Sequence, residues 1–223
     1  MWRGANLQTP FADGRTMFIA GDHAVKFVCY PISGRAARQG RALVNWVAEV
    51  RQDQPRAAEE ADWTREGGRD FIAEFMGFCM PDIDIRALLN NTQKITQYSM
   101  IDRDPLPWWT DHRVTLLGDA AHPMYPMGAN GASQAILDAR VLAHHLARQP
   151  GPEGLLAYEA ERRPITAQVV LTNRQAGPER VLDIAAARVT RSEDRIEDLI
   201  SSAELEEVAA HYRQVAGFLK KGP

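Results

Sequence analysis

The residues whose types and spacing could do chemistry lie between Arg113 and Asp138. Gly118-Asp119 ends a short branched apolar run, Val114 to Leu117, and Pro126, Gly128, Asn130 and Gly131 follow shortly after. An aspartate at the carboxyl end of a strand can accept charge-assisted hydrogen bonds from sugar hydroxyls. Gly128 and Gly131 permit a close approach that a side chain would block. A helix beginning at Asn130, which that residue can cap, offers free N–H groups and the positive end of its dipole to an anionic group. Strand, acidic turn, glycine-bearing loop and helix N-terminus together could hold a nucleotide-like ligand. A Gly-Asp turn and an asparagine cap are also ordinary structural features, so the residues alone leave both readings open. Asp119 and His122 could be taken for a metal pair, but two ligands with no third nearby make a poor site, and no metal is expected. His144-His145 reads as a solvated pair with no carboxylate in register, and Trp108-Trp109 as packing under a loop rather than lining a pocket.

Other elements must position this stretch. Arg15 to Ala20, Val25 to Ile32 and Leu43 to Val50 read as three antiparallel strands, the first two joined by Gly21-Asp22-His23-Ala24. Such a sheet can serve as a wall, with one face free for burial or for a ligand. Gln52 to Gly68 is charged and reads as a loop with a short helical piece. Arg69 to Phe78 and Asp82 to Leu89 read as helices, the second with Pro81 at its N-terminal edge, and Ile95 to Met100 as a strand. The spacing predicts one apolar helical face on Ala132, Ala135, Ile136, Ala139, Leu142, Ala143 and Leu146. Helices are predicted at Glu153 to Arg163 and Ile165 to Gln175, with Pro164 kinking or restarting the run, and at Val181 to Val189 and Ala203 to Phe218.

The 223 residues are 45% apolar and 25% charged, with a net charge of -3. That composition is ordinary for a globular protein and gives no electrostatic reason to expect nucleic acid or an anionic membrane. The N-terminus has no signal-peptide pattern, and no apolar run approaches the roughly 18 residues of a membrane span. Cys29 and Cys79 have neither metal-site nor redox spacing, so reduced thiols and a cytoplasmic location are expected.

Leu117-Gly118-Asp119-Ala120-Ala121-His122, followed by Pro126, Gly128, Gly131 and Asp138-Ala139, resembles the second FAD-binding motif of the single-component flavoprotein aromatic hydroxylases of the para-hydroxybenzoate hydroxylase type. Met1 to Gly4, Tyr30 to Ser33, Leu43 to Val47 and Asp102 to Pro107 are similar to the branch with 5-methylphenazine-1-carboxylate 1-monooxygenase and salicylate-hydroxylase-like enzymes. The resemblance implies that Gly118, Asp119, Pro126, Gly128, Asn130, Gly131, Ala132 and Ser133 contact FAD. Asp119 would bind the ribose, and the N–H groups of Gly131, Ala132 and Ser133 would face the flavin pyrimidine edge. It implies NAD(P)H as reductant, O₂ as oxidant and a small aromatic substrate near Tyr125 and Met127. Phe27, Cys29 or Tyr30 would face that substrate from the sheet, on a strand face that alternation does not fix. No side chain is assigned as catalytic, because in the family the cofactor carries the chemistry.

None of the sixteen glycines forms the G-x-G-x-x-G loop that holds the FAD pyrophosphate in such enzymes. The expected fold is therefore α/β (α+β): an antiparallel substrate-domain sheet in 1–100, the C-terminal part of a Rossmann-like FAD-binding domain in 101–176, and helices in 177–223, with the N-terminal βαβ unit missing. Three functions fit that outline: the C-terminal portion of a FAD-dependent monooxygenase, a non-catalytic truncated remnant, or a chain that completes a flavin site with a separate partner. The oligomeric state is not legible. The outline also predicts weak or no FAD binding by the chain alone, and apolar surface left exposed near Val114 to Leu117.

Overall fold

The computed structural model describes residues 1–52, 64–80, 82–191 and 194–216. Most of the charged stretch from Gln52 to Gly68, Pro81, and the end of the helix expected over Ala203 to Phe218 lie outside the described residues. Two compact units divide the chain, Met1–Met100 and Ile101–Pro223.

The first unit is built on an antiparallel sheet of β1 (Trp2–Gln8), β2 (Phe18–Gly21), β3 (Val25–Pro31), β4 (Ala42–Val50) and β5 (Ile95–Gln97), in the order β2-β3-β4-β1-β5. β1 was not anticipated: it pairs with β4 from Trp2↔Ala48 to Gln8↔Ala42 and lies between β4 and the edge strand β5. β2 starts later than expected because the Asp13 carboxylate accepts from the N–H groups of Arg15 and Thr16, holding a turn there. Helix α1 (Gly34–Arg38), capped by Ser33, links β3 to β4. The predicted helix at Arg69 to Phe78 is a 3-10 stretch, Asp70–Phe75, and the next helix, α2 (Ile85–Asn90), is capped by the Asp84 side chain.

One sheet face packs against these helical pieces. Phe27, Cys29, Val44, Trp46 and Ala48 meet Phe71, Phe75, Ile85, Leu88 and Leu89 in a single cluster. Each fully buried side chain of Phe or Leu size there contributes about 1.5–3 kcal/mol.

In the second unit, β6 (Thr110–Asp111) and β7 (Val114–Thr115) form a two-stranded ladder. The helices are α3 (Gly131–Arg148), α4 (Pro152–Asn173), α5 (Arg180–Arg188), α6 (Ile196–Leu199) and α7 (Ser202–Val215). α4 runs unbroken through Pro164, so the two helices predicted there are one. α7 begins in a capping box formed by Ser201 and Glu204. Val114 to Leu117 is not the buried strand its composition suggested. β7 pairs with β6, and Val114 is 66% and Leu117 40% exposed. Trp109 is buried beside Tyr158 and His122, whereas Trp108 is exposed. His145 has a carboxylate partner after all: its Nε2 lies 2.8 Å from Glu161 Oε2 on α4. Among the described residues no helix is long and apolar enough to cross a membrane.

Candidate functional site

After β7 the chain enters a turn, Gly118–Ala120, in which Gly118 takes a left-handed φ of 58°. The N–H groups of Ala121 and His122 both return to the Gly118 carbonyl, closing the turn. Beneath it lies Asp138 of α3, fully buried. Its Oδ2 accepts from Gly118 N–H at 2.9 Å and lies 2.6 Å from His122 Nε2, and its Oδ1 accepts from Arg162 Nε of α4 at 2.7 Å. Burial alone would raise the Asp138 carboxyl, but the bonds from His122, Arg162 and Gly118 outweigh it and hold the group below its ordinary value. His122 Nδ1 and Trp109 Nε1 on the neighbouring ring are buried without a hydrogen-bond partner among the described residues.

The network continues along α3. Arg162 Nη2 donates to Gln134 Oε1 at 2.6 Å, and Gln134 Nε2 donates to the Ala216 carbonyl at 3.0 Å and to Asn130 Oδ1 at 3.4 Å. Asn130 Nδ2 reaches the Tyr212 hydroxyl, and Asn173 Nδ2 donates to the Tyr125 carbonyl. The side chains α3 buries are thus Gln134 and Asp138. The apolar face predicted for it is largely outside: Ile136 is 70% exposed, and Ala132, Ala139 and Ala143 are exposed. Asn130, expected to cap α3, occupies the cap position but makes no side-chain capping bond, because its amide is committed to this interior.

Loop and helix start stand over this base. Gly128 has a left-handed φ of 72°, and a Cβ there would come within 2.8 Å of the Tyr212 ring. The first α3 N–H bonded along the chain is that of Gln134, to the Asn130 carbonyl; those of Gly131, Ala132 and Ser133 have no such partner among the described residues. Asp119 is exposed, and its Oδ1 lies 3.9 Å from where a Gly131 Cβ would be. The turn carboxylate and the donors at the helix start therefore share one surface, with Pro126 exposed and Tyr125 and Met127 half-buried in the same loop. Burial first, then the Asp102 carboxylate, pushes the Tyr125 hydroxyl up, so it stays protonated.

That donor and acceptor set fits part of a flavin nucleotide. The free N–H groups and dipole of α3 match an electron-rich pyrimidine edge, and an exposed carboxylate matches sugar hydroxyls. The G-x-G-x-x-G loop that would hold a pyrophosphate does not occur in the sequence. Among the described residues no group of three or more His, Cys, Asp or Glu could hold a metal.

In the first unit, the sequence candidates on β3 separate by face. Phe27 and Cys29 are fully buried in the core, which removes them as ligand contacts; burial pushes the Cys29 thiol up to about 11. Tyr30 lies on the opposite face, across from Asn45. That face also carries charged and polar groups the sequence reading passed over. Arg3 Nε donates to Asn45 Oδ1 at 2.7 Å, Lys26 Nζ pairs with Glu49 Oε2 at 2.9 Å, and Asn45 Nδ2 is buried without a partner among the described residues. The strand alternation that placed Phe27 could have found Lys26 and Asn45 once the core face was known.

A mixed fold with an antiparallel sheet in one unit, and a Gly-Asp turn facing a helix N-terminus in the other, fits the resemblance to flavoprotein hydroxylases drawn from the sequence. Comparison with known proteins agrees. Residues 79–173 match the FAD binding domain family FAD_binding_3. The chain is 46% identical over 177 residues to phenazine 1,6-dicarboxylic acid hydroxylase PhzS of Lysobacter antibioticus, covering 78% of this chain and 44% of that protein. It is 30% identical over 161 residues to 3-hydroxybenzoate 6-hydroxylase of Klebsiella oxytoca, covering 71% of this chain and 37% of that one. The fold is shared with Klebsiella pneumoniae HpxO, solved with FAD and uric acid, at a TM-score of 0.57 and 21% identity over 97% of this chain and 48% of that one. The chain is similar in sequence to FAD-dependent aromatic hydroxylases and spans less than half the length of the curated relatives named here.

Proposed function

We propose that this chain supplies the flavin-ring half of a FAD-dependent aromatic monooxygenase that uses NAD(P)H and O₂. The observation that carries the reading is the shared surface of Asp119 and the α3 N-terminus, held from beneath by the Asp138 network. Bound FAD would supply the redox chemistry. This chain's residues would bind and orient it: Asp119 accepting from a ribose hydroxyl, the N–H groups of Gly131, Ala132 and Ser133 facing the pyrimidine edge, and Gly118, Pro126, Gly128 and Asn130 shaping the loop. Tyr125 and Met127 would lie on the substrate side of that loop, and Tyr30 is the sheet residue of the original three that keeps a role toward a planar aromatic acid or heterocycle. Relatives that hydroxylate a phenazine dicarboxylate and a hydroxybenzoate support that substrate class.

The exposure of Val114, Leu117 and Ile136 favours a further feature of this reading: the site is completed by polypeptide carrying the G-x-G-x-x-G half, in the same chain or in another. The test is a fluorescence titration with FAD, on the chain alone and together with such a segment. Weak or no binding is expected alone, and firm binding in its presence. There, Asp119→Ala should weaken retention by about 1–3 kcal/mol, the value of a lost charged hydrogen bond. Stoichiometric FAD on the isolated chain would refute the half-site, and unchanged affinity in the variant would remove Asp119 from it.

A further inference from the structure

The Met127–Gly128 peptide is fastened on both sides by residues far along the chain. The Met127 carbonyl accepts from the Tyr212 hydroxyl at 3.1 Å, and Gly128 N–H donates to Glu179 Oε1 at 3.3 Å. Both partners come from beyond residue 173, where the match to the FAD-binding family ends. Tyr212 is buried, and Gly128 lies so flat on its ring that a side chain there would collide with it. The same hydroxyl approaches Asn173 Oδ1 at 3.0 Å and Asn130 Nδ2 at 3.4 Å, and four residues on, the Ala216 carbonyl accepts from Gln134. α7 is itself fixed: the Ser201–Glu204 box starts it, and the Arg188 guanidinium of α5 grips the Glu204 carboxylate. A peptide preceding a left-handed glycine can rotate and exchange the directions of its C=O and N–H, since glycine tolerates both settings.

We propose that Glu179 and Tyr212 clamp this peptide from its two sides, as positioning residues that set where the α3 N-terminus presents its free N–H groups. The clamp stands on geometry alone, and only the identity of the ligand it serves rests on the flavin reading above. Burial chiefly raises the Tyr212 phenol, and the Glu179 charge adds to this, so the hydroxyl remains a donor through the neutral range.

Amide hydrogen exchange by mass spectrometry on this chain tests it. Tyr212→Phe, which keeps the ring and removes the hydroxyl, should speed exchange of the hydrogen-bonded amides of Gly128, Ala129 and Gln134 about five- to tenfold, the effect of one lost hydrogen bond. Glu179→Ala, at a half-buried position where the fold is under less threat, should do the same. Glu179→Gln, whose amide oxygen can still accept, should restore the original rate. Exchange within α4 and in the first unit should not move. Unchanged loop exchange in both Tyr212→Phe and Glu179→Ala would overturn the clamp, as would acceleration spread evenly over the chain or failure of Glu179→Gln to rescue. FAD titration, made together with the segment that carries G-x-G-x-x-G, is scored separately: a loosened loop with unaltered flavin affinity there would refute the flavin reading and leave the clamp standing.

Discussion

Asp138→Ala is the substitution on which the account of the second unit most depends. It removes the acceptor for three buried donors, Arg162 Nε at 2.7 Å, His122 Nε2 at 2.6 Å and Gly118 N–H at 2.9 Å. The side chain of Arg162 is 5% exposed, so its guanidinium would be left charged and largely without solvent. Breaking a buried pair from one side costs about 3–5 kcal/mol. The orphaned Gly118 N–H adds about 1–3 kcal/mol, part of which relaxation recovers. A loss of at least about 3 kcal/mol is therefore expected. With a urea slope of about 1–1.5 kcal/mol per molar for a unit of this size, the midpoint should fall by about 2–3 M. Far-UV circular dichroism is the readout, because the long helices α3 and α4 both belong to this unit. Replacing both partners, Asp138→Leu with Arg162→Met, should recover part of the loss, since an apolar pair of similar volume carries no unpaired charge. A single variant within about 0.5 M of the parent, or a double variant no better than the single, would refute the reasoning.

Three further outcomes are expected. Because the folded Asp138 carboxyl lies below its ordinary value of 3.8, its contribution is complete above that pH and is lost as pH falls through the depressed folded value; urea midpoints measured against pH should show a shallower acid decline in Asp138→Asn. Gly128→Ala should lower the melting temperature, with a cost of about 1–3 kcal/mol from the left-handed backbone, and more if the Tyr212 ring cannot move from the new methyl. A thiol reagent should modify the exposed Cys79 at once and the buried Cys29 only on unfolding, and Cys79→Ser should abolish the fast phase.

Several elements were legible because their signals are local. β3 and β4 show branched and aromatic runs, with a hairpin-sized link ahead of β3, and the Gly-Asp turn and the α3 start stand out by residue type. β1 was not legible, since its core face carries Trp2, Gly4 and Asn6, an alternation with no apolar signature. α3 misled for a physical reason: periodicity assumes that the buried side of a helix is apolar, and here the buried side is Gln134 and Asp138, held by Arg162. Polar residues spaced four apart on a helix, with an arginine on the next one, were the available clue. Tyr212 had none, because nothing near it in sequence names a loop 85 positions earlier.

That separation has a consequence in time. A ribosome adding about 5–20 residues per second makes Tyr212 roughly 4–17 s after Met127. Through that interval the loop exists without its fastening, while the Asp138 carboxylate and the Gly118 turn can already be in place once Arg162 has been made. The nascent chain can thus form the Asp138 part of the floor before the rim is fastened, whereas the Gln134 bond to Ala216 and the Tyr212 bond to Met127 both wait for α7.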